Sequence, residues 1–356
     1  MKIAVGMSGG VDSSVAALLL VEAGHDVSGV LMKTWSGPEG PSGGRGACYG
    51  HDEAEDIRAA SAVCAKLSVP LRIIDCARGF EEAVLRDLRA GYFAGTTPNP
   101  CVRCNQMIKF GLLPEAARRA GLAFDRFATG HYARVEYDPS LVRFLLKRAA
   151  DARKDQSYFL YRLGQPQLAT ALFPLGDLLK SRVREIARKK RLPVHDRKES
   201  QDFYAGDLSD ILGRGDLEGD IVDREGRVLG RHRGVWNYTV GQRKGLGIAH
   251  PVPLYVLEID AAANRLVVGP ESETLRGSAV VRDTVWGPFE TLAAPAEVRV
   301  KVRSAGRPVP ATVSPLEDGR ARVDLAEPVA SVAPGQSAVF YDGDILVGGG
   351  VIESAA

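Results

Sequence analysis

The chain has 356 residues, more than one hydrophobic core usually organises, so two or three domains are expected. A hydrophobic fraction of 45% and a charged fraction of 25% belong to a folded soluble protein, and a net charge of +2 excludes a general field, so an RNA partner has to be met by a local basic patch. The five cysteines argue against a closed disulfide framework and fit a reducing compartment with free or metal-bound thiols.

In chain order, KIAVGM (residues 2–7) reads as a buried strand, and VDSSVAALLLVEAG as a helix that stops at Gly24. This opening has one Lys and an apolar tail. Ser8-Gly9-Gly10 and Asp12 interrupt it where a signal peptide would be continuously apolar, and no run is apolar enough to span a bilayer. A cytoplasmic protein without a membrane partner is expected. DVSGVLMK is the next strand and SGPEGPSGGRGA (36–47) a loop or lid near the strand ends. EAEDIRAASAVCAKL has helical spacing, PLRIID is a third strand, GFEEAVLRDLRAGYF an amphipathic helix, and FDRFATGHY carries a fourth strand. Strands alternating with helices predict a doubly wound parallel sheet of the α/β class, with ligands at the carboxyl ends of its strands.

KSRVREIARKKRLPVHDRK (180–198) is strongly basic and helical to about Arg191, a candidate phosphate-contacting surface. After residue 206 glycine becomes frequent, and β-rich runs (YVLEID, RLVVG, AEVRVKVR, ARVDLAEP, SAVFYDGDILVGGGVI) predict small antiparallel sheets or a barrel. The expected division is a catalytic domain with a helical extension over 1–206, a small central β-rich domain over 207–278, and a C-terminal β-barrel over 279–356.

The strongest motif is Ser8-Gly9-Gly10-Val11-Asp12-Ser13-Ser14, between the first strand and the first helix. Glycines let the backbone approach phosphates, and the free N–H groups of the helix start hold the anion. A Walker A loop needs Gly-Lys-Ser/Thr and a dinucleotide fingerprint needs G-x-G-x-x-G, and neither is present here.

SGGxDS in this position resembles the PP-loop of the ATP pyrophosphatases. The resemblance implies that Gly6, Met7, Ser8, Gly9, Gly10, Val11, Asp12 and Ser13 line the phosphates of ATP, with Asp12 helping to hold Mg²⁺. The ordered set SGGVDSS, LMKTW, TPNPCVRCNQMIKF, ATGHYAR, KDQSYFLY, TVGQRKGLG and PGQSAVFYDG is similar to the MnmA-type tRNA 2-thiouridylases over nearly the whole chain. That family adenylates the C2 oxygen of the wobble uridine and replaces it with sulfur from a cysteine persulfide, releasing pyrophosphate and then AMP.

The resemblance places the nucleophile at Cys104, Met32 on the adenine, and Gly130 beside the nucleotide. Thr97, Asn99 and Pro100 are placed near the target base. His131, Lys154, Asp155, Gln156, Arg303, Ser304 and Gln336 are expected to contact tRNA. A cysteine desulfurase or a sulfur-relay protein is the implied donor. Arg103 and Lys109, close in sequence, predict a lowered pKa for Cys104. The rival reading is a PP-loop synthetase forming an amide or guanidine on a small molecule, against which stand the basic helix and the lack of a glutaminase segment.

The chain departs from the family pattern twice. Tyr204 stands where a second cysteine is expected, in the segment 199–205, and Cys101 stands where the family usually has Asp. Three readings of Cys101 and Cys104 stay open: Cys101 resolves a persulfide on Cys104, or Cys48, Cys101 and Cys104 ligate a 4Fe–4S cluster, or the pair is a zinc corner. Cys64 and Cys76 read as small core residues.

Overall fold

The computed structural model describes residues 1–35, 37, 47–50, 52–198, 202–204, 206 and 208–356. Most of the expected lid over 36–47, and Glu199 to Gln201 with Ala205 of the segment around Tyr204, lie outside the described residues. Two compact units are present. The first comprises Met1–Val84, Pro100–Gly206 and Asp344–Leu346, the second Leu85–Asn99, Asp207–Gly343 and Val347–Ala356.

In chain order the first unit contains β1 (Lys2–Gly6), α1 (Val11–Glu22), β2 (Asp26–Lys33), β3 (Ala47–Tyr49), α2 (Glu53–Lys66), β4 (Leu71–Asp75) and α3 (Ala77–Phe80). It continues with α4 (Pro100–Cys104), α5 (Leu113–Arg119), β5 (Arg126–Thr129), β6 (Ala133–Asp138) and β7 (Arg143–Arg148). It ends with α6 (Gln165–Thr170), β8 (Ala171–Leu172), α7 (Lys180–Lys189) and β9 (Asp202–Tyr204).

Five strands form a parallel sheet in the order β4-β2-β1-β5-β8. Because β1 is central and covered on both faces, its sequence is an unbroken apolar run. Helix α1 is apolar almost all round for a similar reason: Val15, Ala16 and Ala17 pack in one core with Ile3 and Val5 of the sheet and with Val183 and Ala187 of α7. The chain leaves β1 for β2 on one side and later places β5 on the other, so the order reverses at β1. The crevice that this reversal opens lies beyond the carboxyl end of β1, where the glycine loop sits. Strands β3 and β9 form a separate two-stranded parallel ribbon, with Ala47 opposite Asp202 and Tyr49 opposite Tyr204.

The second unit holds two sheets. β10 (Gly219–Val222), β11 (Val228–His232), β12 (Tyr255–Asp260) and β13 (Arg265–Gly269) are ordered β11-β10-β13-β12 around a core that includes Trp236, Val256 and Leu266. β14 (Leu275–Trp286), β15 (Ala296–Lys301), β16 (Val309–Pro315), β17 (Ala321–Ala330), β18 (Ser337–Asp342) and β19 (Ile345–Ala355) follow in the order β14-β17-β16-β15-β18-β19. Pairing of β14 with β19 closes this sheet into a barrel, which leaves no free edge. The long strand β14 had no clean alternation in the sequence, because register shifts at Val280/Val281 and between Arg282 and Val285 turn its side chains out of phase.

The single helix expected over 79–93 is three pieces: α3, a wider π-type turn at Glu81–Leu85, and a helix at Arg86–Phe93. The first segment of the first unit ends at Val84, inside that turn.

The barrel core is closely filled, with Phe340 fully buried and stacked on Trp286 at 5.6 Å. Phe340→Ala is expected to lower stability by about 3–5 kcal/mol, read as the urea midpoint at unchanged slope.

Candidate active site

The glycine loop joins β1 to α1. Ser13 and Ser14 both donate from Oγ to the carbonyl of Gly10, at 3.2 and 2.7 Å, and Ser13 Oγ accepts the Ser8 amide at 3.2 Å. The serines thereby shape the turn and leave the first amides of α1 directed beyond the strand end. Gly9 has φ of +70°, and a Cβ there would stand 2.6 Å from the carbonyl oxygen of Asp56. Gly130, just past β5, has no room for a side chain either: a Cβ would lie 2.6 Å from the Ser13 amide nitrogen.

A cavity of about 270 Å³ opens at this point. Its wall includes Gly6, Met7, Ser8, Gly10, Val11, Asp12 and Ser13, and also Met32 and Gly130. Gly9 belongs to the same turn but is engaged from behind, its carbonyl accepting from Arg197 Nη1 at 2.9 Å.

Five residues of this site, four of them charged, were missed in the sequence. Lys180, the first residue of α7, reaches back to Asp12 and donates to both carboxylate oxygens at 2.7 Å. Tyr132 donates its hydroxyl to the same carboxylate at 3.0 Å. Arg197 pairs with Asp56 at 2.6 Å while holding Gly9. Glu53 accepts the amides of Thr34 and Trp35 at 2.5 and 2.9 Å and so fixes the end of β2. The one available signal was the basic run 180–198, read as an outer surface. Its first residue is instead buried, and Arg182 and Lys189 pair with Glu185.

Helix α4 starts with Pro100, whose missing N–H is harmless there, and carries Cys101 and Cys104 one turn apart on one side. It runs into a π-type segment, Asn105–Leu112. Gln167 caps the widened turn, donating from Nε2 to the carbonyls of Gln106 and Phe110 at 2.8 and 3.0 Å. Lys109 projects from this segment into the cavity wall, as does His131, and Cys48 of β3 lines the same wall.

The expected low pKa of Cys104 is corrected by the structure. Burial pushes its thiol up to about 12, with Cys101, Cys48 and Cys76 adding to the rise, and the Lys109 ammonium only partly opposes this. Arg103 gives no visible help, since its Nε is turned to the carbonyl of Ala83 at 3.1 Å. Cys101 is likewise pushed up to about 11 by burial, then by Cys48. Burial lowers the pKa of Lys109, yet Cys104, Cys48 and Cys101 together outweigh it and leave it above its ordinary value. These mutual effects put three thiols around one ammonium. Among the described residues, however, no group of three or more His, Cys, Asp or Glu side chains is arranged to hold a metal ion. Neither a cluster on Cys48, Cys101 and Cys104 nor the zinc corner is supported by the described residues. Cys64 and Cys76 are buried, as expected, and burial pushes both up to about 11.

The residues assigned to tRNA fall in different places. His131 faces the cavity, bonds Thr129 Oγ1 through Nδ1 at 2.8 Å, and is driven down to about 3 by burial and Lys109, so it is neutral at physiological pH. Gln156 also lines the cavity and accepts the Tyr132 amide at 2.9 Å. Asp155 is engaged internally, accepting from Arg148 Nε and from the amides of Ala149 and Ser157. Its neighbour Lys154 is half-buried. In the second unit, Gln336 donates to the carbonyl of Thr97 at 2.9 Å, so two residues far apart in sequence meet there. Asn99 is half-buried, and Arg303 and Ser304 are exposed beyond β15.

Residues 1–204 match the family described as the tRNA methyl transferase HUP domain, 208–270 its PRC-barrel domain, and 278–352 the aminomethyltransferase β-barrel domain. Proteins named tRNA-specific 2-thiouridylase MnmA are similar along the whole chain. The one from Endomicrobium trichonymphae is 44% identical over 99% of both chains. The one from Geobacter metallireducens is 46% identical over 99% of this chain and 97% of its own. The one from Trichormus variabilis is 43% identical over 99% and 98%. The chain belongs to the tRNA-specific 2-thiouridylase family. As a 2-thiouridylase of the PP-loop type it uses ATP.

Two outcomes test this site. Gly130→Ala drives a methyl into the glycine loop, which at about 1–3 kcal/mol of overpacking weakens ATP binding roughly tenfold to a hundredfold by calorimetric titration. The second concerns Asp56, whose carboxyl burial raises from 3.8 to about 6 against the pull of Arg197. Between those values the folded chain holds a proton that the unfolded chain has released, so stability falls as pH rises from about 4 to about 6. Asp56→Asn is expected to flatten that part of the pH–stability curve in urea titrations.

Proposed function

We propose that this 2-thiouridylase binds ATP with its phosphates on the glycine loop, adenylates the C2 oxygen of the wobble uridine of tRNA, and replaces AMP with sulfur carried on cysteine. The observation that carries this reading is one cavity wall holding both the start of α1 and the Lys109–Cys48 pair, next to half-buried Cys101 and buried Cys104. Nucleotide and sulfur chemistry are thus brought within one site.

Gly6 to Ser13, Met32 and Gly130 hold the nucleotide. Lys180 and Arg197 now neutralise Asp12 and Asp56; on arrival of a triphosphate both cations exchange a carboxylate for phosphate oxygens. Mg²⁺ takes most of its oxygens from water and phosphate, so one carboxylate is a sufficient protein ligand. Asp12 would supply it once Lys180 turns to the phosphates, and the bound ion would neutralise charge on the leaving pyrophosphate. Cys104 and Cys101 are reacting thiols, with Lys109 favouring the thiolate when the site is charged with substrate.

For tRNA we assign His131 and Gln156 to the target nucleotide and Arg303, Ser304 and Gln336 to the rest of the RNA, with Thr97, Asn99, Pro100 and Lys154 as further contacts. Asp155 would act by fixing the loop that carries its neighbours. The functional division into 1–206, 207–278 and 279–356 goes with this assignment. The sulfur donor is a cysteine desulfurase, directly or through a relay protein. Among the described residues no helix is long and apolar enough to cross a membrane, and a cytoplasmic site of action goes with the tRNA substrate.

The test is release of AMP and pyrophosphate with nucleoside analysis of the tRNA. Both products and 2-thiouridine are expected only when ATP, tRNA and a loaded cysteine desulfurase are all present, and Cys104→Ala is expected to lower 2-thiouridine at least about a hundredfold. AMP release driven by a small acid without RNA would instead establish an amide- or guanidine-forming synthetase.

A further inference from the structure

Sulfur has to reach this site from another macromolecule, and the thiols differ in whether they can meet one. Cys104 is buried and Cys101 half-buried, while Cys48 is exposed. Cys48 alone of these three lines the nucleotide cavity, so it faces both the outside and the place where the adenylated base must lie.

Its position is built rather than incidental. Cys48 is the middle residue of β3, and the ladder with β9 fixes the residues on either side of it. Tyr49 stacks on Phe80 at 5.0 Å and on Phe203 at 5.9 Å, and Trp35 meets Tyr49 edge-on at 5.0 Å. Four aromatic rings from four segments thus hold this three-residue strand. Tyr204, where a second cysteine was expected, belongs to this ribbon, so the strand that lost a cysteine is paired with one that carries a cysteine.

We propose that Cys48 is the thiol that receives sulfur from the donor and presents it to C2 of the uridine, with Cys104 as the thiol that releases it; this rests on the thiolation reading above. A donor persulfide passes its outer sulfur to Cys48, giving Cys48–S–SH and a donor thiol, with no net oxidation. The outer sulfur loses its proton and attacks C2, a C–S bond forms, the C2–O bond breaks, and AMP leaves with the electron pair. Cys104 then attacks the Sγ of Cys48. The S–S bond breaks with its electron pair on the sulfur attached to C2, and the proton from Cys104 ends on N3. The products are 2-thiouridine and a Cys48–Cys104 disulfide, which a dithiol reductant returns to two thiols with two electrons and two protons.

The experiment uses the full chain, a cysteine desulfurase loaded with sulfur-labelled cysteine, and alkylation followed by peptide mapping. Before ATP and tRNA are added, the label is expected on the Cys48 peptide. After one turnover it is expected in the tRNA, with a peptide linked through Cys48 and Cys104. Cys48→Ser is expected to lower 2-thiouridine at least about a hundredfold. Label confined to Cys101 or Cys104 in the native chain, or thiolation by Cys48→Ser within about twofold of native, overturns the assignment and leaves the thiolase reading standing. Stoichiometric iron and sulfide lost on Cys48→Ser overturns it in favour of a cluster seat. A native chain that makes no 2-thiouridine at all removes the thiolase reading and this assignment with it. Peptide mapping on the native chain keeps the test sound where the serine variant fails to fold.

Discussion

The closeness of Gly130 to the glycine loop is the constraint on which the site depends. With the end of β5 lying against the backbone of Asp12 and Ser13, the loop has no freedom to collapse onto its own helix start. The α1 amides are therefore held open, and an open row of donors is an anion site before any anion arrives. The same closeness brings Tyr132 and Lys180 to Asp12, and Arg197 ties the other side of the loop to α2. Lys180 and Arg197 are thus each matched by a carboxylate in the resting chain. Binding a polyanion exchanges partners rather than burying new charge, which lowers the desolvation cost of bringing four phosphate charges into a half-enclosed cleft.

What could be read from the sequence is what has local cause. β1, the glycine loop and α1 were legible because a buried parallel strand is continuously apolar and a loop that meets phosphates needs glycine. Met32 and Gly130 were assigned to the nucleotide through the order of motifs, not through any local signal, and both line the cavity. Lys180 and Arg197 were not legible as site residues, since their roles depend on 168- and 188-residue separations that no spacing rule reports. The short strands β3 and β9 were missed for another reason: three residues cannot show a period of two, and their stability comes from aromatic stacking among distant segments. The pKa of Cys104 was misjudged because charge neighbours can be counted in a sequence and burial cannot. Arg103 and Lys109 are both nearby in the chain, but one points away and the other is outweighed by the loss of water.

That high thiol pKa also suits the chemistry better than the low value first expected. A thiolate exposed to solvent beside an ATP site would react with any electrophile or oxidant that entered. A thiol kept protonated by burial is inert until a substrate changes its surroundings. A persulfide is a stronger acid than a thiol, so sulfur placed on an exposed cysteine is ionised and nucleophilic without help, while the buried partner waits. Lys109, its charge sustained by the thiols around it, is set to stabilise whichever sulfur becomes negative, first the attacking persulfide and then the resolving thiolate. The arrangement separates delivery at an exposed, cavity-lining cysteine from resolution at a buried one. It also gives a physical reason for a chain with Tyr204 in place of a cysteine to retain thiols on both β3 and α4 around a single ammonium.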